Sequence, residues 1–299
     1  MEMELTVFTP TYNRAYVLEE CYHSLCAQTN QNFIWLIVDD GSNDNTGNLV
    51  QQWILQNKIT IQYIYQNNLG KQRAINTAIN NCQTKYIADL DSDDKYLPDT
   101  VATILEYMEK IKSDTQIAGI IGRRLNSNGQ ILGSKIIPKG SFVTNIDKLI
   151  KGYKYMGDTN RAYKTEILAK FLYPEIDDKF IPEDYMWAQI DQKFGIYFVN
   201  QAFAISDYLD DGYTKNIYSL YKKNPYGVYL AFNQLLLSKR GLKYNIISTV
   251  NYSAWIWKFK IRNSFSNCKN KKRFLFCLPI SILCYIFKFP KWIFSAEEI

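Results

Sequence analysis

The chain has 299 residues, of which 47% are hydrophobic and 21% are charged, so it is long enough to bury the core of one large domain with an appendage. Six scattered cysteines without a Cys-x-x-Cys pair argue against a zinc site or a disulfide framework and fit a reducing compartment. The only histidine, His23, argues against histidine-based catalytic triads. The acidic start leads directly into a predicted strand, so we expect no signal peptide and a cytoplasmic protein.

The net charge of +6 conceals two parts of opposite charge. Residues 1–238 carry 23 Lys or Arg against 27 Asp or Glu, a net of −4. Residues 239–299 carry 12 against 2, a net of +10. A strongly basic end favours an anionic partner surface, either a membrane or a nucleic acid.

Strand and helix patterns alternate over the first 115 residues. The predicted strands are 4–9, 33–38, 59–65 and 85–90, and the predicted helices are 16–27, 45–57, 71–81 and 98–112. This alternation predicts a mostly parallel sheet with helices on both faces. No Gly-x-Gly-x-x-Gly follows the first strand and no Walker A sequence is present, which argues against a dinucleotide-binding Rossmann site and a P-loop ATPase.

The pattern after residue 115 is less regular. It predicts, in chain order, a β-hairpin over 116–140 with its turn at 126–129 and its return strand at 131–137, helices and loops over 145–195, an extended segment over 196–210, and Tyr-rich helices over 216–262.

An apolar stretch of 14 uncharged residues, 274–287, lies near the C-terminus, with four basic residues just before it and two just after it. A helix needs about 20 apolar residues to span a bilayer, and Pro279 interrupts this stretch. We therefore expect residues 268–294 to associate with the surface of an anionic membrane, and we expect no nucleic-acid partner. The alternative is a helix packed on the domain.

Four carboxylates crowd into six residues just after the predicted strand 85–90: Asp89, Asp91, Asp93 and Asp94. Such a cluster needs a cation or a cationic partner to offset its repulsion. Asp91-Ser-Asp93 has the spacing at which two carboxylates meet one Mg²⁺ or Mn²⁺, with substrate phosphates and water completing the shell. The alternative is an acidic loop that caps the following helix.

Polar residues also follow the first two predicted strands. The first strand ends in a Thr, Tyr, Asn and Arg loop at residues 11–14, and the second ends at Asp39, Asp40 and Gly41. In open α/β sheets, ligands bind at the carboxyl ends of the strands. We therefore expect these segments and the acidic run to line one ligand site.

These motifs resemble those of the family 2 glycosyltransferases, which are inverting nucleotide-sugar enzymes with the GT-A fold. The matching segments, in the family's order and at about its spacings, are 6–14, 28–29, 38–46, 70–71, 90–94 and 182–187. Each motif alone is weak, whereas the ordered set is specific. A softer resemblance over 180–214 is to members that make bacterial surface polysaccharides.

The resemblance implies a domain organisation. A GT-A catalytic domain would cover residues 1–215, with a nucleotide-sugar-binding half at 1–115 and an acceptor half at 116–215. A helical, basic extension would follow at 216–299 and would contain the membrane-associating segment.

The resemblance also implies nucleoside contacts. Pro10, Thr11, Tyr12 and Arg14 match the family's nucleoside-contacting loop, in which Tyr12 would stack on the base or, alternatively, fill the crevice at the strand end. Asp40 would accept the N3–H of uracil or, alternatively, only shape the turn.

Contacts to the diphosphate and the metal follow in the same way. Lys71 would meet the diphosphate, with Arg73 as its rival. Asp93 would be the principal ligand of Mn²⁺ or Mg²⁺. Asp91, with Ser92 beside it, would lie at the ribose or share the ion, and the other two carboxylates of the run would cap or orient the turn.

The resemblance implies a catalytic base in the pair Glu183 and Asp184, and we prefer Asp184. Pro182 fits a helix N-terminus, where the helix dipole stabilises negative charge. The alternative is a pair of helix-capping acids. Trp187, one turn further on, would stack on a sugar or pack in the core.

Taken together, the resemblance implies a metal-dependent inverting glycosyltransferase that moves a hexosyl or N-acetylhexosaminyl group from a UDP-sugar to a lipid-linked or polysaccharide acceptor. Its place would be the inner face of a bacterial plasma membrane. Two alternatives stay open. A nucleotide-sugar nucleotidyltransferase would carry a Gly-rich phosphate loop at the first strand end. A non-catalytic scaffold binding membrane or nucleic acid through its basic tail would need neither Asp93 nor Asp184.

Overall fold

The computed structural model describes residues 3–133, 139–154, 158–207, 209 and 212–294. The chain divides into two compact units. The first unit comprises Met1–Leu172 and Lys193–Asp207, and the second comprises Tyr173–Gln192 and Tyr208–Ile299.

Strands and helices alternate through the beginning of the first unit. In chain order they are β1 (Leu5–Thr11), α1 (Ala15–Cys26), β2 (Phe33–Asp39), α2 (Thr46–Gln56), β3 (Thr60–Tyr65), α3 (Lys71–Asn81), β4 (Tyr86–Asp89), β5 (Lys95–Tyr96) and α4 (Thr100–Ile111). β1 pairs in parallel with β2 and β4, and β2 pairs in parallel with β3. The predicted elements are therefore confirmed here, with β5 as an addition and with ends shifted by a few residues.

The following elements complete one sheet. In chain order they are β6 (Ile117–Leu125), β7 (Phe142–Thr144), α5 (Ile146–Tyr153), β8 (Thr159–Lys164), α6 (Thr165–Leu168), α7 (Asp184–Lys193) and β9 (Gly195–Ile205). The strand order is β3-β2-β1-β4-β8-β6-β9-β5, and β7 pairs with β9. The predicted α/β class is confirmed. The sheet is nevertheless mixed, because β8, β7 and β5 pair antiparallel to their neighbours while β6 and β9 are parallel.

The prediction of helices and loops over 145–195 missed β8. This strand carries polar residues that an apolar alternation does not reveal. Two of them are nevertheless buried, since Asn160 Nδ2 donates to the Asp89 carbonyl at 3.2 Å and Lys164 Nζ donates to the Asp114 carbonyl at 2.6 Å. The segment therefore forms a strand because it pairs with β4 on one side and β6 on the other.

The predicted hairpin over 116–140 is described only in part, and along most of its length β6 pairs with β8 and β9. The predicted turn does form, with the Gly129 N–H donating to the Asn126 carbonyl at 2.9 Å. Leu125 and Ile131 make an isolated bridge beyond it. Most of the predicted return strand lies outside the described residues.

The core of the first unit lies on both faces of the parallel strands. Trp35 and Ile37 of β2 belong to a buried cluster with residues of α1, α2 and α4. Leu36 and Val38 alternate with them and are also fully buried, so they face the opposite side, where α3 contacts β1 and β2. Helices therefore cover both faces, and the loops at the strand ends are left at the edge of the sheet.

The second unit is helical, as predicted. It contains most of α7 and also α8 (Tyr213–Lys223), α9 (Pro225–Leu235), α10 (Leu242–Lys258), α11 (Lys271–Phe276), α12 (Leu278–Ile286) and α13 (Lys291–Phe294). Trp255 is fully buried in its core and donates from Nε1 to the Pro225 carbonyl at 2.8 Å. Gly227 permits a close approach, because a Cβ there would lie 2.0 Å from the Phe180 carbonyl oxygen. Within the described residues, no helix is both long enough and apolar enough to cross a membrane.

Candidate active site

The loops after β1 and β2 meet at one edge of the sheet. Thr11 and Asp39 are partners in the parallel register, and the Asp40 N–H donates to the Thr11 carbonyl at 2.8 Å. Asn13, in the left-handed region with φ 53°, donates its N–H to Ser42 Oγ at 2.8 Å. These bonds hold the predicted nucleoside-contacting loop against the turn that follows β2.

The side chain of Tyr12 is 47% exposed in this loop. It therefore does not fill a crevice at the strand end. Arg14 donates to the Tyr16 hydroxyl and lies over the Tyr16 ring, with 5.8 Å from the guanidinium carbon to the ring centroid. An exposed phenol ring at the edge of the sheet is available to stack on a planar base.

Asp39 is buried and structural. One of its carboxylate oxygens accepts from the Ser42 N–H at 2.7 Å, and the other accepts from the Tyr63 hydroxyl at 2.6 Å. Burial and this neighbouring carboxylate raise the pKa of Tyr63. Gly41 completes the turn with φ 87°, and a Cβ there would lie 2.8 Å from the Asn68 backbone nitrogen. Asp39 and Gly41 thus fix the turn.

Asp40 is buried and anchors the loop that leads into α3. Its carboxylate accepts from Gln66 Nε2 at 2.7 Å, from the Leu69 N–H at 2.9 Å and from the Gly70 N–H at 2.7 Å. An ionised carboxylate accepts about four hydrogen bonds, so these three donors leave one acceptor position. The sequence reasoning did not foresee these protein donors. Through Gly70, Asp40 also places Lys71 at the start of α3.

The acidic turn after β4 contains two basic side chains. Lys71 Nζ lies 2.7 Å from Asp91 Oδ1. Arg124 of β6 lies 2.8 Å from Asp94, 3.3 Å from Asp89 and 3.5 Å from Asp91. Two basic side chains of the protein itself thus offset part of the charge of the four-carboxylate run.

The carboxylates of this turn differ in their protonation equilibria. Although burial alone would raise the pKa of Asp91, Lys71 and Arg124 hold it at about 2. Burial raises the pKa of Asp94 to about 7 in spite of Arg124. Burial and the charge of Asp91 raise the pKa of Asp93. Asp91 is thus a stable anion, whereas Asp93 lacks comparable compensation.

Asp93 fits a metal ligand. Among the described residues, Asp93 forms no ion pair, and its raised pKa reflects a carboxylate that a nearby cation would stabilise. Both oxygens of Asp91 already face basic groups, so Asp91 shares a metal only if Lys71 moves away. No group of three or more His, Cys, Asp or Glu in the described parts of the chain could hold a metal. The described carboxylates alone therefore do not form a complete metal shell.

Ser92 is buried within the turn, which the Asp94 N–H closes by donating to the Asp91 carbonyl at 3.0 Å. Asp89 orients β8, since its carboxylate accepts from the Arg161 N–H at 2.6 Å. Asp89 and Asp94 thus have the orienting contacts that the sequence predicts.

Arg124 is the residue that sequence reasoning missed. It lies in a stretch read as one strand of a hairpin, 30 residues after Asp94 in the chain. The one available signal was Arg123-Arg124 at the end of an otherwise apolar strand, Ile117–Leu125. Only the pairing of β6 with β8 and of β8 with β4 brings Arg124 to the acidic turn.

The Gln28-Thr29 motif has a structural role. Gln28 donates from Nε2 to the Leu97 carbonyl at 2.9 Å and accepts at Oε1 from the Val101 N–H at 3.0 Å. Thr29 donates its hydroxyl to Asp99 at 2.9 Å. The motif therefore fixes the start of α4, just after the acidic turn.

The two carboxylates predicted to include the catalytic base, Glu183 and Asp184, lie in the second unit. Asp184 is the first residue of α7, its side chain is 52% exposed, and Arg240 lies 3.5 Å from it. Glu183 is also exposed, and its carbonyl accepts the Met186 N–H at 3.1 Å. The helix N-terminus that Pro182 predicts is confirmed. Trp187 is only 9% exposed, which favours core packing for this ring.

Comparison with known proteins identifies the family. The sequence pattern described as "Glycosyl transferase family 2" matches residues 6–172. The chain therefore belongs to glycosyl transferase family 2, as the motifs predict. An uncharacterized glycosyltransferase of Rickettsia felis is 34% identical over 148 residues, which are 48% of this chain and 23% of that protein. The putative teichuronic acid biosynthesis glycosyltransferase TuaG of Bacillus subtilis is 36% identical over 105 residues, which are 35% of this chain and 41% of that protein. The chain thus spans less than half the length of these relatives.

Solved structures confirm the predicted GT-A fold. TarS of S. aureus (residues 1–349) in complex with UDP-GlcNAc is similar with a TM-score of 0.61 and 17% identity, covering 95% of this chain and 82% of that one. The mannosyltransferase PcManGT of Pyrobaculum calidifontis, in complex with GDP-Man and Mn²⁺, is similar with a TM-score of 0.57 and 13% identity. That likeness covers 97% of this chain and 88% of the other.

Proposed function

We propose that this protein transfers a hexosyl or N-acetylhexosaminyl group from a UDP-sugar, with inversion, to a glycan or lipid-linked acceptor in bacterial cell-surface glycan synthesis. The observation that carries the proposal is the acidic turn after β4, where, in the part of the chain that the structure describes, Asp93 forms no ion pair while Lys71 pairs with Asp91 and Arg124 with Asp94. Such a turn offers one carboxylate to a hard cation and a nearby ammonium to a diphosphate.

The nucleoside diphosphate would lie along the edge formed by the loops after β1, β2 and β4. Exposed Tyr12 would stack on the base, in the loop that Pro10 and Thr11 lead into. The remaining acceptor position of Asp40 would take the uracil N3–H. Lys71 would contact the diphosphate, and Asp91 and Ser92 would face the ribose. UDP-GlcNAc in the TarS complex supports a uridine nucleotide as the donor carrier.

Asp93 would hold Mn²⁺ or Mg²⁺, and Asp91 would join it as a second ligand once Lys71 turns to the diphosphate. The bound cation supplies Lewis-acid stabilisation of the leaving diphosphate. Mn²⁺ in the PcManGT complex supports this choice of metal. Lys71 adds a second positive charge at the same leaving group.

The sugar would move in one displacement. Asp184, or Glu183 as the alternative, would take the proton of the acceptor hydroxyl. The resulting oxygen would attack the anomeric carbon opposite the diphosphate, the bond from that carbon to the diphosphate oxygen would break, and UDP would leave with the electron pair. One displacement inverts the anomeric centre. The support for Asp184 is its motif and its position at the N-terminus of α7.

The acceptor and the location are parts of the same proposal. TuaG, named for teichuronic acid biosynthesis, supports a surface polysaccharide as the product class. We place the enzyme peripherally on the inner face of the plasma membrane, where a lipid-linked acceptor would be available and where the basic C-terminal segment meets anionic lipid.

A donor screen tests the proposed function. Purified protein with Mn²⁺ is given a panel of UDP-hexoses and UDP-N-acetylhexosamines, and UDP release is measured with and without a candidate glycan acceptor. We expect release from one class of donor and dependence on the acceptor. Formation of pyrophosphate from UTP and a sugar 1-phosphate, without UDP release from any donor, would instead identify the alternative nucleotidyltransferase.

A further inference from the structure

We infer that the exposed apolar face of α11 and α12, called here the docking face (residues 275–289), inserts into the surface of an anionic lipid bilayer. This inference develops the membrane location proposed above and rests on it. A surface helix of a water-soluble protein normally presents polar residues to solvent. α12 presents apolar residues instead, and a contiguous exposed apolar face marks an interaction site.

The two faces of α12 show the contrast. Leu278, Ser281 and Tyr285 turn toward the second unit: Ser281 is fully buried, and the Tyr285 ring lies 5.3 Å from the Trp257 ring. One turn-spaced stripe on the other side is exposed and apolar. Its members are Ile282, Leu283 and Ile286, and Leu283 and Ile286 are 56% and 64% exposed.

Neighbouring residues extend the same surface. Further exposed apolar side chains lie in α11, at the start of α12 and just after it: Leu275, Phe276, Ile280, Phe287 and Phe289. Phe276 and Phe287 are nearly 80% exposed, at 79% and 78%. The docking face is therefore formed by eight exposed apolar side chains within one short sequence segment, rather than by scattered single residues.

Basic residues border the docking face, and part of the predicted basic collar is absent from it. Arg273 donates to the carbonyls of Leu236 and Asn245 at 2.8 and 2.5 Å, so its charge serves the packing of α9 and α10. Lys269 donates to Gln234, and burial lowers its pKa. Besides Lys269, which is held by Gln234, the exposed basic residues around the face are Lys271, Lys272, Lys288 and Lys291.

Charge distinguishes a bilayer from a second copy of the chain. Residues 212–296 contain 15 Lys or Arg and no Asp or Glu. A symmetric dimer through this face would bring like charges together, because both partners would present the same patch. Anionic lipid instead meets the lysines with negative headgroups and receives the apolar side chains below them.

Side-chain type distinguishes a bilayer from a nucleic acid. Proteins bind single strands by stacking bases on aromatic rings and bind phosphates through Lys and Arg. The exposed rings of Phe276, Phe287 and Phe289 suit base stacking, but the other exposed side chains of the face are aliphatic and suit neither contact: Leu275, Ile280, Ile282, Leu283 and Ile286. Aliphatic side chains gain from burial in hydrocarbon.

The dimensions fit shallow insertion. α12 has nine residues and is about 14 Å long, less than half of the roughly 30 Å hydrocarbon thickness. A cavity of about 450 Å³ beside α11 is lined by Leu242 and Ile246 of α10 together with Lys272 and Phe276. It extends the apolar surface from the docking face to α10.

Vesicle binding of the full chain tests this inference. Cosedimentation is measured with phosphatidylcholine vesicles and with vesicles that also contain phosphatidylglycerol, at low and high salt. We expect binding to the anionic vesicles that weakens but persists in salt, because the apolar part is not screened. Leu283→Ser/Ile286→Ser should lower the partition coefficient roughly 10-fold or more. The matched control is Leu55→Ser, which changes an 84% exposed leucine of α2 in the first unit and should have no effect.

A charge series gives the second measurement. Lys288→Gln/Lys291→Gln should lower binding to anionic vesicles roughly 10-fold or more and leave binding to neutral vesicles unchanged. Lys58→Gln, an exposed lysine of the first unit, is the control and should bind as the unchanged chain does.

Three results would overturn the inference. They are failure of the full chain to bind anionic vesicles at low salt, equal binding by Leu283→Ser/Ile286→Ser, and a dimer in analytical ultracentrifugation that this variant separates. UDP release with a soluble acceptor is measured in the same variants. Retained release together with failed vesicle binding would reject the docking face and leave the proposed glycosyl transfer intact.

Discussion

The ammonium of Lys71 lies 2.7 Å from Oδ1 of Asp91, which ties the first residue of α3 to the acidic turn after β4. Asp40 holds the loop before α3 through the Leu69 and Gly70 N–H groups, so the turns after β2 and β4 are connected through one lysine. In the proposed function this lysine leaves Asp91 for the diphosphate. Arg124, 3.5 Å from the other oxygen of Asp91, would then remain as the positive charge beside that carboxylate.

Lys71→Met should lower UDP affinity about 10-fold or more, because a hydrogen bond to a charged group contributes about 1.5–3 kcal/mol. Arg73→Met is the matched control, since Arg73 lies on the same helix two residues further on and is the rival for the same role. Titration calorimetry with UDP measures both. A loss confined to Arg73→Met would transfer the diphosphate contact to that residue.

Arg124→Gln should destabilise the protein strongly. Its removal leaves buried Asp94 beside Asp91 without compensation, and breaking a buried ion pair in this way costs about 3–5 kcal/mol. Arg123→Gln is the control, because the neighbouring arginine donates to the Asn200 carbonyl and touches none of the four carboxylates. Denaturant unfolding gives the free energies. Partial recovery in Arg124→Gln/Asp94→Asn would confirm the pair, and equal stability of the two single variants would contradict it.

Asp184→Asn should lower turnover by about 10²–10⁴-fold, the usual loss when a general base is removed. UDP affinity should remain unchanged, because this residue serves the acceptor. Glu183→Gln is the paired comparison. If Glu183→Gln loses turnover while Asp184→Asn keeps it, the catalytic base is Glu183. If both variants keep full turnover, neither residue is the base.

Asp44→Ala should lower the melting temperature in a pH-dependent way. Asp44 accepts from the Thr46 N–H at 3.0 Å and from the Ala15 N–H at 3.1 Å, at the starts of α2 and α1. Burial opposes ionisation, but these bonds hold the pKa of Asp44 below its usual value. Because the pKa is lower in the folded state, the ionised carboxylate stabilises the fold at pH values above the unfolded-state pKa of about 3.9. This stabilisation is lost as the pH falls through the folded-state pKa.

The melting-temperature difference between Asp44→Ala and the unchanged chain should therefore be largest near neutral pH and should shrink below about pH 3.9. Asp177→Ala, at an exposed aspartate of the second unit, serves as the control. A difference that is constant from neutral to acid pH would mean that the carboxylate charge contributes nothing.

Periodic and local features of the fold could be predicted from the sequence. The first four strands, the helices between them and the turn at Asp39 to Gly41 follow from apolar runs that end in polar residues. β8 could not be predicted, because its polar residues Asn160 and Lys164 find carbonyl partners only after the sheet assembles.

The candidate site was predictable to the same degree. The carboxylates and the lysine are recognisable in sequence motifs. Arg124, in contrast, reaches the acidic turn only through the antiparallel pairing of β4 with β8 and of β8 with β6. Likewise, no motif shows that the protein's own Gln66, Leu69 and Gly70 occupy most of Asp40. Contacts between segments distant in sequence depend on topology, which local patterns do not encode.

The most direct test of the account is the metal dependence of UDP binding at Asp93. Calorimetry measures UDP affinity with Mn²⁺, with Mg²⁺ and with EDTA, in the unchanged chain and in Asp93→Asn, with circular dichroism to confirm the fold. We predict that the cation strengthens UDP binding at least about 10-fold, which is the effect expected from one charge-assisted contact. We also predict that Asp93→Asn binds UDP equally weakly under all three conditions. Equal UDP affinity with Mn²⁺ and with EDTA in the unchanged chain, or a full Mn²⁺ effect in folded Asp93→Asn, would contradict the account.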